Sequence, residues 1–249
     1  MNTSDLQSVC GIGVMAKAPR PGQSKTRLCP PLRPEQAADL SAAFLRDVTD
    51  NVAMAARSTP IAGYIAHATA GSEPLFERHV APGTGFVLAD GSPPMPSDVQ
   101  GLGCCLLHAI QGILGFGHGA AVVLNSDSPT LPTRFLVQTA RALIAPGDRV
   151  VLGPADDGGY YLLGMKAAHA ALFADIAWST DSVAADTRDR ARSAGLELVE
   201  LQTWHDVDDA AGLHRLRQEL ADDRSGTAPA TAAALRRMGL LQPVFDAAK

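Results

Sequence analysis

VVLGPADDGGYYLLGM, residues Val150–Met165, sets two apolar runs on either side of two acids and two glycines. Each run has the length of a strand, and its valine, leucine and tyrosine suit a pleated, half-buried surface. DDGG between them makes a good hairpin turn in any setting. Yet neighbouring carboxylates repel each other, and paired glycines weaken a strand. A turn alone does not require that cost, whereas the floor of a ligand cleft would. Gly158 and Gly159 would let the backbone approach a ligand closely, while Tyr160 and Tyr161, alternating along the next strand, would divide between cleft and core.

On both sides of this stretch, strand-like runs alternate with amphipathic ones, the pattern of a βαβ protein with a mainly parallel sheet. Val9–Ala16 is a first strand. A helix starts at Pro34, where proline suits the first turn, and Leu40, Phe44, Val48 and Val52 give it one apolar face. PIAGYIAHA (60–68), GTGFVLA (83–89) and GAAVVLN (119–125) read as further strands. Helices follow near Cys104–Leu114, over PTRFLVQTARALI (132–144), and over residues 179–195, closed by Gly195. LELVELQTW (196–204) is another strand, and DVDDAAGLHRLRQEL begins a helix with acids at its positive end. Residues 1–220 are expected to form one domain, and 221–249 a linker and a terminal helix packed on it.

With 46% hydrophobic residues the chain can build a core, and its net charge of −5 argues against nonspecific nucleic-acid binding, which needs a basic surface. No long apolar run implies a membrane span, and no basic n-region precedes the first apolar stretch. Cys10, Cys29, Cys104 and Cys105 lack metal-site spacing and read as reduced, mostly buried residues. A cytoplasmic monomer or homodimer is expected.

KAPRPGQSKTRL (17–28) follows the first strand directly. Lys17, Arg20, Lys25 and Arg27 with Gly22 supply fixed cations and approachable backbone N–H groups, which polyphosphate requires. The loop lacks the Walker pattern and could equally be a solvated basic loop. Asp127 stands just past an apolar strand, where one carboxylate suits magnesium, although aspartate is also a common turn residue. Asp206 and Asp208, two apart in an extended segment, could close on the same metal or cap the following helix. Trp178 and Trp204 suit packing or rim positions, and Ser179 and Thr180 suit capping of the next helix. No GxSxG is present, and the histidines sit in unrelated contexts.

KAPRPGQSKTRL, NSDSPTLP and GPADDGGYYLLG, followed by DVDD, resemble in order and spacing the DUF2064 family of glycosyltransferase-like proteins. That family lies in the nucleotide-diphospho-sugar transferase (GT-A) superfamily and is sometimes associated with arsenosugar biosynthesis. The resemblance runs from about Val14 to Leu216. It implies a single GT-A, Rossmann-like α/β domain with helices on both faces of a mainly parallel, mixed sheet. It gives Asp127 the place of the metal-holding aspartate, and Asp208, with Asp206, that of the second metal-side acid. SKTRL is similar to a segment of phospholactate guanylyltransferases, which implies that Lys25, Arg27 and Lys17 contact phosphates. Gln100 and Gly101 fall where such proteins line the base pocket, but QGLG stands here instead of an acidic GDLG-like stretch.

Two reactions fit these residues. In nucleotidyl transfer, a phosphate or phosphonate acceptor attacks the α-phosphorus of a nucleoside triphosphate and pyrophosphate leaves. Mg2+ or Mn2+ on Asp127 and Asp208 would bridge the phosphates, and Lys25 and Arg27 would stabilise the leaving group. In glycosyl transfer from a nucleotide-sugar, Asp156 or Asp157 would serve as base for a small-molecule acceptor hydroxyl. The abundance of cations favours the first and the family the second; residue chemistry makes nucleotidyl transfer the leading expectation and glycosyl transfer its alternative. Asp156, Asp157, Gly158, Gly159 and Tyr160 are the expected acceptor side. A noncatalytic nucleotide-binding module, motivated by QGLG, is the third alternative. No nucleic-acid or membrane partner is expected.

Overall fold

Cys10–Met15 (β1) lies inside a seven-stranded sheet whose order is β3-β2-β1-β4-β6-β5-β7. The other strands are Ile61–His67 (β2), Gly85–Leu88 (β3), Ala120–Asn125 (β4), Arg149–Pro154 (β5), Tyr160–Met165 (β6) and Glu197–Glu200 (β7). This is a computed structural model, and it describes residues 6–223 and 226–242. Strands β3, β2, β1 and β4 run parallel, as do β5 and β7. Strand β6 is antiparallel to both of its neighbours, so the Val150–Met165 hairpin inserts its second strand beside β4. The result is the mixed, mainly parallel sheet that the alternation predicts.

Helices cover both faces. Pro34–Ala55 (α1) and Thr133–Ile144 (α3) pack on the face formed by Ile12, Val14, Val122 and Leu124. Leu102–Gly115 (α2) and Val183–Ser193 (α4) cover the face formed by Ala121, Val123, Leu152 and Leu163. The split follows the two-residue period of a strand, because successive side chains point to opposite faces. Gly11 shows how closely α2 approaches: a Cβ there would lie 2.2 Å from Ile113 Cγ2. A side chain at that position would push the helix off the sheet.

The outer side of α1 carries Ala210–Asp222 (α5) and Pro229–Arg237 (α6), joined through Leu40, Phe44, Leu216 and Leu235. Ala228, at the N-cap of α6, has no side-chain acceptor. Asp47 of α1 supplies one, accepting from the N–H of Ala230 at 2.9 Å and of Thr231 at 2.7 Å. These are two of the donors that a helix start leaves unsatisfied. Of the expected linker and tail, residues 224–225 and 243–249 lie outside the described residues.

Two local expectations are corrected. The strand expected over 196–204 ends at Glu200, and Trp204 instead makes an isolated bridge to Ala155. Ser179 and Thr180 do not cap α4, whose N-cap is Ser182. Cys10 is buried, the other three cysteines are half-buried, and all four are free. No described helix is long and apolar enough to cross a membrane.

Candidate active site

The basic loop leaves the carboxyl end of β1, beside the carboxyl end of β4, where open α/β sheets place their ligands. Ser24 holds the loop's shape, accepting from the Arg20 N–H and donating to the Ala18 carbonyl. At Lys25 the backbone turns left-handed, with φ 50°. That conformation is uncommon for a residue with a side chain and clusters at functional positions. The turn carries Lys25 Nζ to Asp127 Oδ1 at 2.8 Å, Asp208 Oδ1 at 2.9 Å and the Val207 carbonyl at 2.7 Å.

The acids are brought together by backbone pairing. The Val207 N–H donates to the Asp127 carbonyl at 2.9 Å, and Ser128 Oγ donates to the His205 carbonyl at 2.9 Å. The extended segment after β7 is thereby pinned to the end of β4, with Asp208 beside Asp127. Asp209, rather than Asp206 or Asp208, caps α5, accepting from the Gly212 N–H. Burial opposes the charge on Lys25, but Asp127 and Asp208 outweigh it and hold its ammonium above the usual range. Burial likewise pushes Asp208 upward, and Lys25 more than reverses that, holding the carboxyl below its usual range. Lys25 acts on Asp206 too, but as the weakest influence. Burial, then Asp208, Asp157 and Asp127, push it up to about 6.

This donor set suits a hard divalent cation. One oxygen each of Asp127 and Asp208 converges on the ammonium of Lys25, so a cation-sized place between them already exists. Among the described residues no group of three His, Cys, Asp or Glu side chains could hold a metal by itself. One or two carboxylates, with phosphate oxygens and water completing the shell, is the usual mode for Mg2+. Lys25 and a metal would compete for the same two oxygens.

Two cavities meet here. The first, about 450 Å³, is lined by Lys17, Lys25 and Arg27 with Asp127 and Asp208, and by small apolar residues such as Ala66 and Ala89. The second, about 420 Å³, is lined by Asp157, Gly159, Tyr160, Trp178 and Asp181 among others. Met15, Arg27, Leu102 and Asp208 line both. Both volumes lie in the range of small-molecule sites.

The hairpin turn has a different job from the one its glycines suggest. Gly158 does not open the backbone to a ligand. With φ +89°, it abuts residue 181, and a Cβ would lie 2.0 Å from the Asp181 carbonyl oxygen. Its own carbonyl accepts from the Ala184 N–H. The Gly159 N–H donates to Asp157 Oδ1 at 2.8 Å, so this glycine fixes the carboxylate and also lines the second cavity. Both tyrosines border the second cavity, and Tyr161 is buried with its ring against Gly153 and Phe135. Burial raises the Tyr160 hydroxyl, which has no hydrogen-bond partner among the described residues.

Several expected residues stand elsewhere. Asp156 pairs with Arg215 of α5 and lines neither cavity. Arg20 lines a separate small hollow beside His67, and Gly22 forms an open turn with φ +72°. Gln100 and Gly101 line neither cavity: the Gln100 amide donates to the Ser97 carbonyl, and Gly101 sits against Trp178. Asp206 flanks Asp208 without lining either cavity. The residues that sequence reasoning missed are Leu102 and Cys105 in the first cavity and Trp178, Ser179, Thr180 and Asp181 in the second. Position alone carried no signal for the 178–181 loop, which reaches the cleft through contacts distant in sequence, Asp181 against Gly158 and Trp178 against Gly101 and Gly103.

A mixed sheet of this order, with a basic loop after its first strand and acids after β4 and β7, defines a nucleotide-diphospho-sugar transferase-like α/β fold. The chain belongs to the family described as "Uncharacterized protein conserved in bacteria (DUF2064)", whose pattern matches residues 51–180. It is similar to a provisionally named nucleotide-diphospho-sugar transferase from Desulfovibrio desulfuricans G20. The two are 26% identical, 92% of this chain and 95% of that one are covered, and the TM-score is 0.78. Weaker likenesses are to a CMP:2-keto-3-deoxy-manno-octonic acid synthetase complexed with CTP (12% identity, 86% and 98% covered, TM-score 0.49). Another is to glucosyl-3-phosphoglycerate synthase from Mycobacterium tuberculosis, complexed with Mn2+, UDP and glucosyl-3-phosphoglycerate (11%, 98% and 86% covered, TM-score 0.49). No curated protein matches the chain.

Proposed function

We propose that this protein is a metal-dependent transferase that holds a nucleotide in the first cavity and an acceptor in the second. Glycosyl transfer from a nucleotide-diphospho-sugar is the better supported reaction. The observation that carries it is Asp157, held by the Gly159 N–H at 2.8 Å on the wall of the second cavity, where a hydroxyl acceptor needs a base. Counting cations along the loop favours a triphosphate, but Arg20 stands apart and lines neither cavity. Lys17 and Arg27 face the phosphates from the first cavity, and Lys25 joins them where a metal takes its two acids. The relative from Desulfovibrio desulfuricans G20, named for nucleotide-diphospho-sugar transfer, supports the same reading.

In this reaction the acceptor oxygen bonds to the anomeric carbon as that carbon's bond to the diphosphate oxygen breaks. The nucleoside diphosphate departs with the electron pair. Asp157, on the wall of the second cavity and held by the Gly159 N–H, accepts the hydroxyl proton. Lys17 and Arg27 line the cavity in which negative charge grows. A divalent metal held by Asp127 and Asp208 would add positive charge beside the phosphate oxygens. Nucleotidyl transfer to a phosphate-bearing acceptor is the second reading; Arg27, which lines both cavities, favours it.

Thermal shifts with nucleoside triphosphates, diphosphates and nucleotide-sugars, with and without Mn2+ or Mg2+, separate the readings, because stabilisation grows with ligand over dissociation constant. Glycosyl transfer requires the largest shift from a nucleotide-sugar with metal. A triphosphate preference with pyrophosphate release selects the second reading, and no shift with any nucleotide removes both. Asp127→Ala should abolish metal-dependent turnover and leave the circular dichroism spectrum unchanged. Turnover unchanged in that variant would contradict the placement of the metal.

A further inference from the structure

The two cavities differ in charge. The first sets Lys17, Lys25 and Arg27 against Asp127 and Asp208, and the second sets Arg27 alone against Asp157, Asp181 and Asp208. The second also carries an indole. Trp178 rests on the glycine face at the start of α2, where a Cβ at Gly103 would lie 3.0 Å from the Trp178 ring and one at Gly101 3.5 Å. Gly101 and Gly103 of QGLG therefore make room for that ring. Beside it stand the hydroxyl side chains Ser179 and Thr180, both exposed. The Thr180 hydroxyl donates to the Ala177 carbonyl and lies 3.0 Å from Ser182 Oγ, and its oxygen keeps a lone pair able to accept.

From this we infer that the second cavity selects a neutral or positively charged polyhydroxy compound, a sugar, amino sugar or polyol without phosphate or phosphonate. The inference rests on the assignment of the first cavity to the nucleotide. Carboxylates accept from ligand hydroxyl or ammonium groups, and the flat indole covers an apolar C–H face or attracts a cation. A phosphate monoester carries about −1.5 to −2 charge at neutral pH and would meet Asp157 and Asp181 with one guanidinium to offset them, Asp208 being paired already with Lys25 at 2.9 Å. Such an acceptor belongs with glycosyl transfer to a hydroxyl, not with nucleotidyl transfer to a phosphate.

Trp178 and Trp204 are the protein's two tryptophans, so Trp204→Phe leaves one fluorescent reporter, inside the second cavity. The probes are glucose, glucosamine and ribitol against glucose 6-phosphate and 2-aminoethylphosphonate, each titrated with and without UDP and Mn2+. At least one unphosphorylated probe should give a saturable change, with glucose 6-phosphate weaker than glucose by about tenfold or more. Asp181→Asn should narrow that difference. If Trp204→Phe fails to fold, subtracting the signal of Trp178→Phe from that of the wild type gives the same reading. Equal or tighter binding of the phosphorylated or phosphonate probe overturns the inference, as does silence from every unphosphorylated probe. UDP binding, followed separately by thermal shift, keeps the two failures apart. Sugar binding without nucleotide binding removes the transferase reading alone, and nucleotide binding with phosphate preference removes this inference alone.

Discussion

Lys25→Met removes the cation that joins the loop to both metal-side acids. The side chain is 8% exposed, and its Nζ donates to Asp127, Asp208 and the Val207 carbonyl. A net contribution of about 1.5–3 kcal/mol accompanies each hydrogen bond involving a charged group. The Asp127 and Asp208 side chains are 30% and 43% exposed, so water takes up part of the charge left behind. Three such bonds, discounted for that hydration, leave a loss of about 3 kcal/mol in metal-free protein at neutral pH. For a domain of this size that lowers the melting temperature by about 6–12 °C. Thermal unfolding followed by circular dichroism in chelator measures it. Mn2+ should then raise the variant's melting temperature more than the wild type's, because in the variant no ammonium competes for the two carboxylates. A variant that melts with the wild type in chelator, or equal Mn2+ shifts in the two proteins, would refute the reasoning.

The fold itself makes other demands. Asp47→Ala leaves the Ala230 and Thr231 N–H groups without their acceptors, and chemical denaturation should show a loss of about 2–3 kcal/mol. Asp47→Asn, which keeps one acceptor oxygen, should lose less; an unchanged midpoint in the alanine variant would contradict the cap. Gly158→Ala sets a methyl group on the Asp181 carbonyl at positive φ, and should cost at least about 2 kcal/mol and expose the 178–181 loop to protease. Proteolysis at the wild-type rate would show that the loop is held otherwise. Asp206→Asn should stabilise the metal-free protein at neutral pH, because the carboxyl held up at about 6 ionises at a cost. The raised folded value means that Asp206 favours the fold at low pH and that this contribution is lost as pH rises through about 6. The advantage of Asp206→Asn should therefore shrink on acidification below that value, and an advantage constant across the range would contradict the assignment.

Much of the fold was legible because it depends on short runs and periods. Short apolar runs, buried on both faces, marked Cys10–Met15 and Ala120–Asn125 as strands, and 3.6-residue spacing marked Leu40, Phe44, Val48 and Val52 as one face of α1. End points were less legible: α2 begins at Leu102 rather than near Cys104, and β7 stops at Glu200. After Glu200 the chain leaves the ladder, and Trp204 bridges to Ala155 at the hairpin.

The sequence by itself determined the order of strands and helices, the basic loop after the first strand, and the chemical types available to a phosphate and metal site. Those properties are carried by neighbours along the chain, where spacing and residue type suffice. Only the tertiary structure decided how these groups are shared. It spent Lys25 on Asp127 and Asp208, turned Asp156 away to Arg215, and gave Gly158 to the Asp181 backbone. It also seated Trp178 on the glycines of QGLG and so built a second, acidic cavity. Each outcome depends on contacts between segments tens of residues or more apart, and local spacing carries no record of such contacts.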